Sequence, residues 1–235
     1  MAEAFQFAPG DAKSMTPPNP LELLLQGAAG LGLDLEPPVL EQFRFYLTEL
    51  QRWNARVNLT GLKTAEDIVV KGFLDSLAVL PYLGAPASLA DLGAGAGFPG
   101  LALKLLRPAM ALTLVEAREK KAAFLDYLVS CLRLPGVEVA RVHLTPALAR
   151  QWGPRFAAVV SRAAFPLAKF LELAAPLLLP GGLALALKGA KLADGELAGA
   201  RSRAEALGLS PLELWDYILP LAGEPRLLVL ARRPA

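Results

Sequence analysis

Four glycines and one carboxylate lie close together in residues 91–100, which read Asp-Leu-Gly-Ala-Gly-Ala-Gly-Phe-Pro-Gly. Because glycine has no Cβ, alternating glycines let a backbone turn sharply and approach a ligand closely. The apolar residues 88–92 before the loop predict a strand, and a predicted helix begins at Leu101. A strand, a glycine loop and a helix in this order indicate a ligand site more strongly than a plain turn.

A second carboxylate, Glu116, ends the next predicted strand and lies 23 residues beyond Gly93. An acidic residue at this spacing can accept hydrogen bonds from both ribose hydroxyls of an adenosine group. The alternative is that Glu116 only caps the helix that follows. The distance from the glycine loop favours the ribose role.

Two classes of cofactor use this arrangement. Residues 95–100 match the dinucleotide pattern G-x-G-x-x-G, so a nicotinamide dehydrogenase is a minor alternative. Asp91, two residues before the first glycine, instead gives D-x-G-x-G-x-G, which resembles the loop of class I methyltransferases. In those enzymes the acid helps to hold the methionine end of S-adenosylmethionine, directly or through water. The chain after residue 87 also has no room for a separate substrate domain, and we therefore predict S-adenosylmethionine.

The order of the predicted elements supports an α/β fold. Strands alternate with helices from residue 87 onward, which implies a mainly parallel sheet, and the last two strands form an antiparallel hairpin. The fold class predicted is a Rossmann-like class I S-adenosylmethionine-dependent methyltransferase with seven strands and an N-terminal helical extension. Gly181 and Gly182 are predicted to turn into the fifth strand. The predicted strands are residues 88–92, 111–115, 137–142, 156–160, 183–187, 212–218 and 226–231.

Three regions are predicted along the chain. Residues 1–20 contain five prolines or glycines and no apolar period, so we expect a disordered N-terminus. Residues 21–86 carry apolar side chains at helical spacing and form the helical extension. Residues 87–235 form the methyltransferase domain.

Composition limits the possible classes of protein. The single cysteine, Cys131, excludes an internal disulfide and a cysteine zinc site, and with only one histidine, His143, we expect no metal centre. The sequence predicts no membrane span and no signal peptide, and hence a cytoplasmic protein. Residues 1–86 carry a net charge of −4 and residues 87–235 a net charge of +6. An anionic partner would be drawn to the second part, although ordinary surface charge is an equally good explanation.

The segment after the fourth strand bears on which atom is methylated. Amino-group methyltransferases have Asp/Asn-Pro-Pro-aromatic there, whereas this chain has Ser161-Arg162-Ala163. Pyrimidine C5 enzymes need a loop cysteine, but Cys131 lies in an apolar helix. An acceptor with its own lone pair, such as guanine N7, needs only alignment with the methyl group. Arg162 is predicted to steady the cofactor or the substrate, the alternatives being a phosphate clamp or a surface ion pair. Lys188 is predicted to meet RNA phosphate, the alternative being a solvated strand end.

The helical extension contains further candidates for substrate contacts. Asn54, Arg56 and Asn58 form an unusually polar cluster beside Trp53, and Asp75 is a polar group in an apolar helix. Asn54, Asn58 and Asp75 are the candidate catalytic residues, and Arg56 is a candidate substrate-binding residue. Structural roles are the alternatives: Asn58 caps the next element, and Asp75 caps a buried helix.

Four separate pieces together resemble the glucose-inhibited division protein B family. They are Trp53-Asn54-x3-Asn58-Leu59-Thr60-Gly61, Phe73-Leu74-Asp75-Ser76, the glycine loop 91–100 and Ser161-Arg162-Ala163. The W-N-x3-N-L-T, L-D-S and S-R-A pieces are far more specific than the loop, because ordinary class I methyltransferases lack them. The similarity runs from about Leu21 to the C-terminus.

The resemblance implies transfer of a methyl group from S-adenosyl-L-methionine to N7 of a guanine in 16S rRNA, near the decoding site in the 530-loop region, leaving S-adenosyl-L-homocysteine. It implies a cytoplasmic enzyme. We expect a monomer that acts on 16S rRNA within the 30S subunit, and the sequence leaves naked rRNA open as an alternative substrate. Thr145 departs from the family pattern, which often has an acid there, so the adenine contact rests on backbone or on its hydroxyl. The predicted cofactor-binding residues are Asp91, Gly93, Gly95, Phe98, Glu116, Ala117, Arg118, Leu144, Thr145 and Arg162.

Two other functions stay open on the sequence. One is methyl transfer to another RNA, a protein or a small molecule. The other is a non-catalytic RNA-binding protein that keeps a nucleotide fold, although the intact glycine loop and Glu116 argue against it.

Overall fold

A computed structural model describes residues 19–235. The predicted disorder therefore falls almost entirely on residues 1–18, outside the described part of the chain. The first helix, α1, already begins at Pro20. The side chain of Asn19 caps it by accepting a hydrogen bond of 3.0 Å from the Leu21 N–H.

Seven strands form one sheet, which confirms the predicted fold class. Their order across the sheet is β3-β2-β1-β4-β5-β7-β6. The first five strands are parallel, and β7 runs antiparallel to both β5 and β6. The strands are β1 (Ser88–Leu92), β2 (Ala111–Val115), β3 (Val137–Ala140), β4 (Phe156–Arg162), β5 (Leu178–Gly189), β6 (Glu213–Ile218) and β7 (Pro225–Arg232).

Five strands differ from their predicted bounds, by one or two residues everywhere except at the start of β5. β3 ends at Ala140 rather than at residue 142. β5 begins at Leu178, so the predicted turn at Gly181 and Gly182 lies inside the strand. The pairing with β4 shifts register there. Leu178 pairs with Phe156 and Leu183 pairs with Ala158, so five residue steps of β5 lie opposite two steps of β4. The two glycines therefore accommodate a bulge inside the strand. A Gly-Gly pair in the sequence does not show whether it marks such a bulge or the start of a strand.

The helices surround the sheet. They are α1 (Pro20–Gly30), α2 (Pro37–Val57), α3 (Ala65–Asp67), α4 (Asp75–Leu77), α5 (Leu80–Leu83), α6 (Gly100–Leu106), α7 (Glu119–Cys131), α8 (Pro146–Trp152), α9 (Leu167–Ala174) and α10 (Glu196–Ala206). Helix α8 was not predicted from the sequence, although Thr145 before Pro146 is a helix-start signal. None of the helices within residues 19–235 is long and apolar enough to cross a membrane.

A π-helical stretch, Ile68–Leu74, joins α3 to α4 within residues 21–86, where the sequence predicts ordinary helical spacing. π-Helical turns are rare and often mark functional sites. Gly72 lies in this stretch, and a Cβ placed there would meet the Phe98 ring at 2.7 Å. The glycine thus lets the stretch approach the glycine loop closely.

The two faces of the sheet bury separate apolar clusters. The helices before residue 87 share one cluster with β1 side chains such as Leu89 and with α6 and α7. The next residue of β1, Ala90, points to the other face, where α9 and α10 pack. The predicted boundary between the helical extension and the methyltransferase domain, at residues 86 and 87, stays a prediction. The helices before this boundary and the sheet after it bury one common core.

Candidate active site

The glycine loop leaves β1 and enters α6 through backbone conformations that suit glycine. Gly93, Gly95 and Gly97 have φ values of 74°, 59° and 97°. The N–H groups of Gly93 and Ala94 both donate to the Val115 carbonyl of β2, at 2.9 and 3.1 Å. The loop is thereby held at the carboxyl ends of two adjacent parallel strands, where ligands bind in open α/β sheets.

Glu116, immediately after β2, joins the two loops at this edge. Its Oε2 accepts from the Gly95 N–H at 2.9 Å, and its Oε1 accepts from the Arg118 N–H at 2.7 Å. A carboxylate has about four lone-pair sites, so acceptor capacity remains for ribose hydroxyls. Glu116 is 6 % exposed and borders the cavity described next.

A cavity of 560 Å³ opens between these loops, which is within the range of cofactor sites. It brings together eight of the ten predicted cofactor-binding residues. The lining includes Gly93, Gly95, Phe98, Glu116, Ala117, Arg118, Leu144 and Arg162. Asp91 and Thr145 do not line it.

Aromatic rings support the loop from below. The Phe98 ring stacks on Tyr46 with centroids 5.6 Å apart and meets the edge of Phe73 at 5.6 Å. The Tyr46 hydroxyl donates to the Ala96 carbonyl at 2.5 Å. On the cavity side, the guanidinium carbon of Arg162 lies 4.6 Å from the Phe98 ring centroid, a cation–π contact. Helix α2 therefore helps to fix the loop conformation.

Asp91 is fully buried below the loop. Its Oδ2 accepts from the Gly100 N–H, the first residue of α6, at 2.8 Å. Its Oδ1 has no hydrogen-bond partner among residues 19–235. Burial raises the pKa of Asp91 to about 7, and the Gly100 N–H and the Arg162 charge only partly oppose that rise. The predicted direct or water-mediated cofactor contact of Asp91 stays a prediction.

This burial makes stability depend on pH through Asp91. Because its folded pKa lies above the ordinary value of 3.8, the folded state binds more protons, and stability falls as pH rises from about 4 to about 7. Asp91→Asn is uncharged at every pH and keeps an oxygen for the Gly100 N–H. We expect it to raise the free energy of unfolding at about pH 8 by a few kcal/mol, and by little at about pH 4.

Urea unfolding at both pH values measures this difference. Asp126→Asn, on the exposed face of α7, is the matched control for replacing an aspartate by asparagine outside the core. An Asp91→Asn effect of the same size at both pH values would contradict a buried carboxyl with a raised pKa.

Asn54 shapes the rim of the cavity. Its Oδ1 accepts from the Thr60 N–H at 2.9 Å, and its Nδ2 donates to the Leu62 carbonyl at 3.1 Å. Asn58 ends α2 in the left-handed conformation, with φ 50° and ψ 55°. The Asn54 side chain thus holds the turn that presents Leu59 and Thr60 to the cavity, and the backbone of Asn58 begins it. The substrate contacts of both residues stay predictions.

Asp75 lies in a second cavity, next to the first. Its Oδ1 accepts from the Tyr217 hydroxyl at 2.7 Å. Nη1 of Arg162 lies 3.5 Å from its Oδ2, and Nε of Arg226 lies 3.5 Å from its Oδ1. Arg162 also donates to the Lys71 carbonyl at 2.6 Å. This network ties the end of β4 to the π-helical stretch and to the C-terminal hairpin.

Three other predicted residues have defined partners or positions. Lys188 donates to Glu196 and to the Phe165 carbonyl, both at 2.8 Å. It is therefore an ion-paired residue near the end of β5. The Thr145 hydroxyl caps α8 by accepting from the Leu148 N–H at 3.2 Å. Arg56 is exposed in the last turn of α2 and borders neither cavity. The roles predicted for these residues remain predictions.

Sequence reasoning missed several residues that line the first cavity. Lys121 lies in the first turns of α7, and burial lowers its pKa. His143 lines the cavity beside Leu144, and Leu59 to Gly61 cover it from the helical extension. The position of Lys121, five residues after Glu116, is a local signal that could have indicated it.

The lining fits S-adenosylmethionine. A Cβ on Gly95 would meet nothing closer than the Gly93 carbonyl oxygen at 3.7 Å and Lys121 Nζ at 3.9 Å, so this position faces open space where a ligand can approach the backbone. Glu116 supplies a buried acceptor, and Phe98 and Leu144 supply apolar walls. Across residues 19–235, no group of three or more His, Cys, Asp or Glu side chains is placed to hold a metal ion.

The strand order, the glycine loop and Glu116 define a class I S-adenosylmethionine-dependent methyltransferase. Solved structures share this fold: the O-methyltransferase from Bacillus cereus in complex with SAH has a TM-score of 0.60 at 17% identity, covering 89% of this chain and 97% of that one. The O-methyltransferase TomG from Streptomyces achromogenes, in complex with SAM, has a TM-score of 0.56 at 17% identity, covering 81% and 90%.

Sequence comparison gives the particular family. The model of rRNA small subunit methyltransferase G matches residues 39–215, and the chain belongs to this family. Ribosomal RNA small subunit methyltransferase G of Roseiflexus sp. (strain RS-1) is 42% identical over 217 residues, covering 92% of each chain. The protein of that name from Geobacter sp. (strain M21) is 37% identical over 212 residues, covering 90% of this chain and 97% of its own. This is the GidB family, that is, the glucose-inhibited division protein B family identified from the sequence, which is thus confirmed.

Proposed function

We propose that this protein methylates N7 of a guanine in 16S rRNA near the decoding site, with S-adenosylmethionine as the methyl donor. The observation that carries the proposal is the cavity formed by the glycine loop and Glu116 in a chain of the rRNA small subunit methyltransferase G family. We further propose that the enzyme acts in the cytoplasm on the assembled 30S subunit, as a monomer and without a metal ion.

The residues around the cavity have separable tasks. Glu116 would accept from the ribose hydroxyls, the backbone at Gly93 and Gly95 would allow close approach of the methionine part, and Leu144 would flank the adenine. Phe98 would support the loop and Arg162 beside the cavity. When bound, S-adenosylmethionine supplies an electrophilic methyl group on a sulfonium. Guanine N7 has a lone pair and loses no proton on methylation, so the site needs no general base. Its residues contribute by aligning the acceptor and excluding water.

Charge supports an RNA substrate. Residues 87–235 carry a net charge of +6, and the phosphate backbone dominates the affinity of proteins for nucleic acids. Arg118 and Lys121 also place two cations beside the first cavity. Contacts between such cations and RNA phosphates displace counterions. Binding to ribosomal RNA should therefore weaken as salt concentration rises.

Methyl transfer from labelled S-adenosylmethionine to unmodified 30S subunits tests the proposal. We expect one labelled N7-methylguanine in 16S rRNA near the decoding site, located by N7-sensitive strand cleavage. Subunits that already carry the modification should accept no label. Transfer to free RNA or protein but not to the subunit, or S-adenosylmethionine binding without transfer to RNA, would contradict the proposed substrate.

A further inference from the structure

A second cavity, of 400 Å³, adjoins the first and is not used by the roles described so far. It lies at the carboxyl ends of β4 and β5, with the π-helical stretch and β7 as its other walls. Two residues, Thr60 and Arg162, line both cavities. These two residues therefore lie at the boundary between the two cavities, Thr60 in a turn of the helical extension and Arg162 at the end of β4.

The charges around the second cavity are balanced. Its lining contains four cations, and each contacts a carboxylate: Lys71 with Asp67 and Glu224, Lys188 with Glu196, Arg226 with Glu224 and Asp75, and Arg162 with Asp75. A phosphate site would require cations without such partners. The four cations and four carboxylates instead suit an uncharged polar ligand such as a base.

Asp75 is the carboxylate that lines the cavity itself. Its side chain is 8% exposed, and its Oδ1 accepts from Tyr217. Its Oδ2 lies 3.5 Å from Arg162 but accepts no hydrogen bond from any residue in the part of the chain that the structure describes. An ionised carboxylate only accepts hydrogen bonds, so it favours a base edge that presents N–H donors.

We propose that the second cavity holds the acceptor guanine, flipped out of the RNA, and that Asp75 accepts hydrogen bonds from the N1–H and N2–H groups of its base edge. Enzymes that act on a base commonly read its Watson–Crick edge in such a pocket. Adenine presents a lone pair at N1 and is disfavoured there. Binding through this edge leaves the N7 side free to face the first cavity, past Thr60 and Arg162. This inference rests on the proposed function and identifies where the acceptor guanine of that reaction binds.

Gly189 allows the cavity to be filled without disturbing the fold. It lines the second cavity only, has an ordinary backbone conformation, and a Cβ placed on it meets no atom within 4 Å. Gly189→Leu should bind S-adenosylhomocysteine like the wild type, melt at the same temperature, and bind guanosine monophosphate at least about tenfold more weakly. Gly30→Leu, an exposed glycine that also has open space, is the matched control.

Asp75→Asn tests whether the Asp75 carboxylate recognises guanine. Binding of guanosine and adenosine monophosphates is measured by calorimetry in the presence of S-adenosylhomocysteine. The wild type should prefer guanosine monophosphate about tenfold or more, the usual effect of a hydrogen bond to a charged group, and Asp75→Asn should lose the preference. Tyr217→Phe keeps the carboxylate and should retain the preference, which separates base reading from a role of the Asp75 network in folding.

Two results would overturn the inference: unchanged guanosine monophosphate binding in Gly189→Leu, or an undiminished preference for guanine in a folded Asp75→Asn protein. Methyl transfer to 30S subunits by the wild type keeps the proposed function in either case. A wild-type protein that fails to methylate guanine N7 is a failure of the proposed function, whatever the nucleotide affinities are.

Discussion

Gly95→Val should abolish measurable binding of S-adenosylmethionine. Gly95 lies at φ 59° and lines the first cavity, and its missing Cβ faces open space beside Lys121. A branched side chain there would occupy the volume through which the ligand approaches the backbone. We expect at least about a hundredfold loss of affinity, equivalent to about 2.7 kcal/mol of binding free energy, measured by calorimetry with S-adenosylhomocysteine.

The control for this variant must carry the same backbone strain. Gly32 has φ 70°, has open space at its Cβ position and lies outside both cavities. Gly32→Val should therefore cost similar stability and leave the affinity unchanged. Retained affinity in a folded Gly95→Val protein would mean that the cofactor binds away from the glycine loop.

Gly97→Ala should destabilise the whole protein rather than the cofactor site alone. The residue has φ 97°, a strained value for alanine, and its Cβ would collide with the Tyr46 hydroxyl and lie 2.7 Å from Cδ1 of Leu101. Overpacking a core costs about 1–3 kcal/mol, and the backbone strain adds about 1–2 kcal/mol. We expect a loss of about 3 kcal/mol in the free energy of unfolding, measured by urea denaturation.

Removing the hydroxyl tests the cause of this loss. In a Tyr46→Phe background the collision with oxygen disappears, so Gly97→Ala should cost less than it does in the wild type. Gly208→Ala, at φ 68° with no atom near its Cβ position, measures the backbone strain alone. If the costs of Gly97→Ala and Gly208→Ala are equal, the contact with Tyr46 does not limit this position.

The cofactor cavity was predictable because its signals are local. The glycine loop follows one strand, Glu116 ends the next strand, and parallel strands bring their carboxyl ends to one edge of a sheet. Arg162 was predicted from its position after the fourth strand, and Leu144 through the resemblance to the family. His143 was missed because a histidine near a strand end has no pattern that separates it from surface residues, and Lys121 because its one local signal is its position five residues after Glu116.

The chain's own sequence determined the alternation of strands and helices, the hairpin at the end and the position of the glycine loop, since hydrophobic period and glycine placement act over a few residues. Only the tertiary structure decided that Asp75, Arg162, Tyr217 and Arg226 meet. These residues come from the helical extension, β4 and the hairpin, and their ion pairs depend on packing across one shared core. No local pattern encodes such a meeting, because burial and partner charges arise only when distant elements pack together.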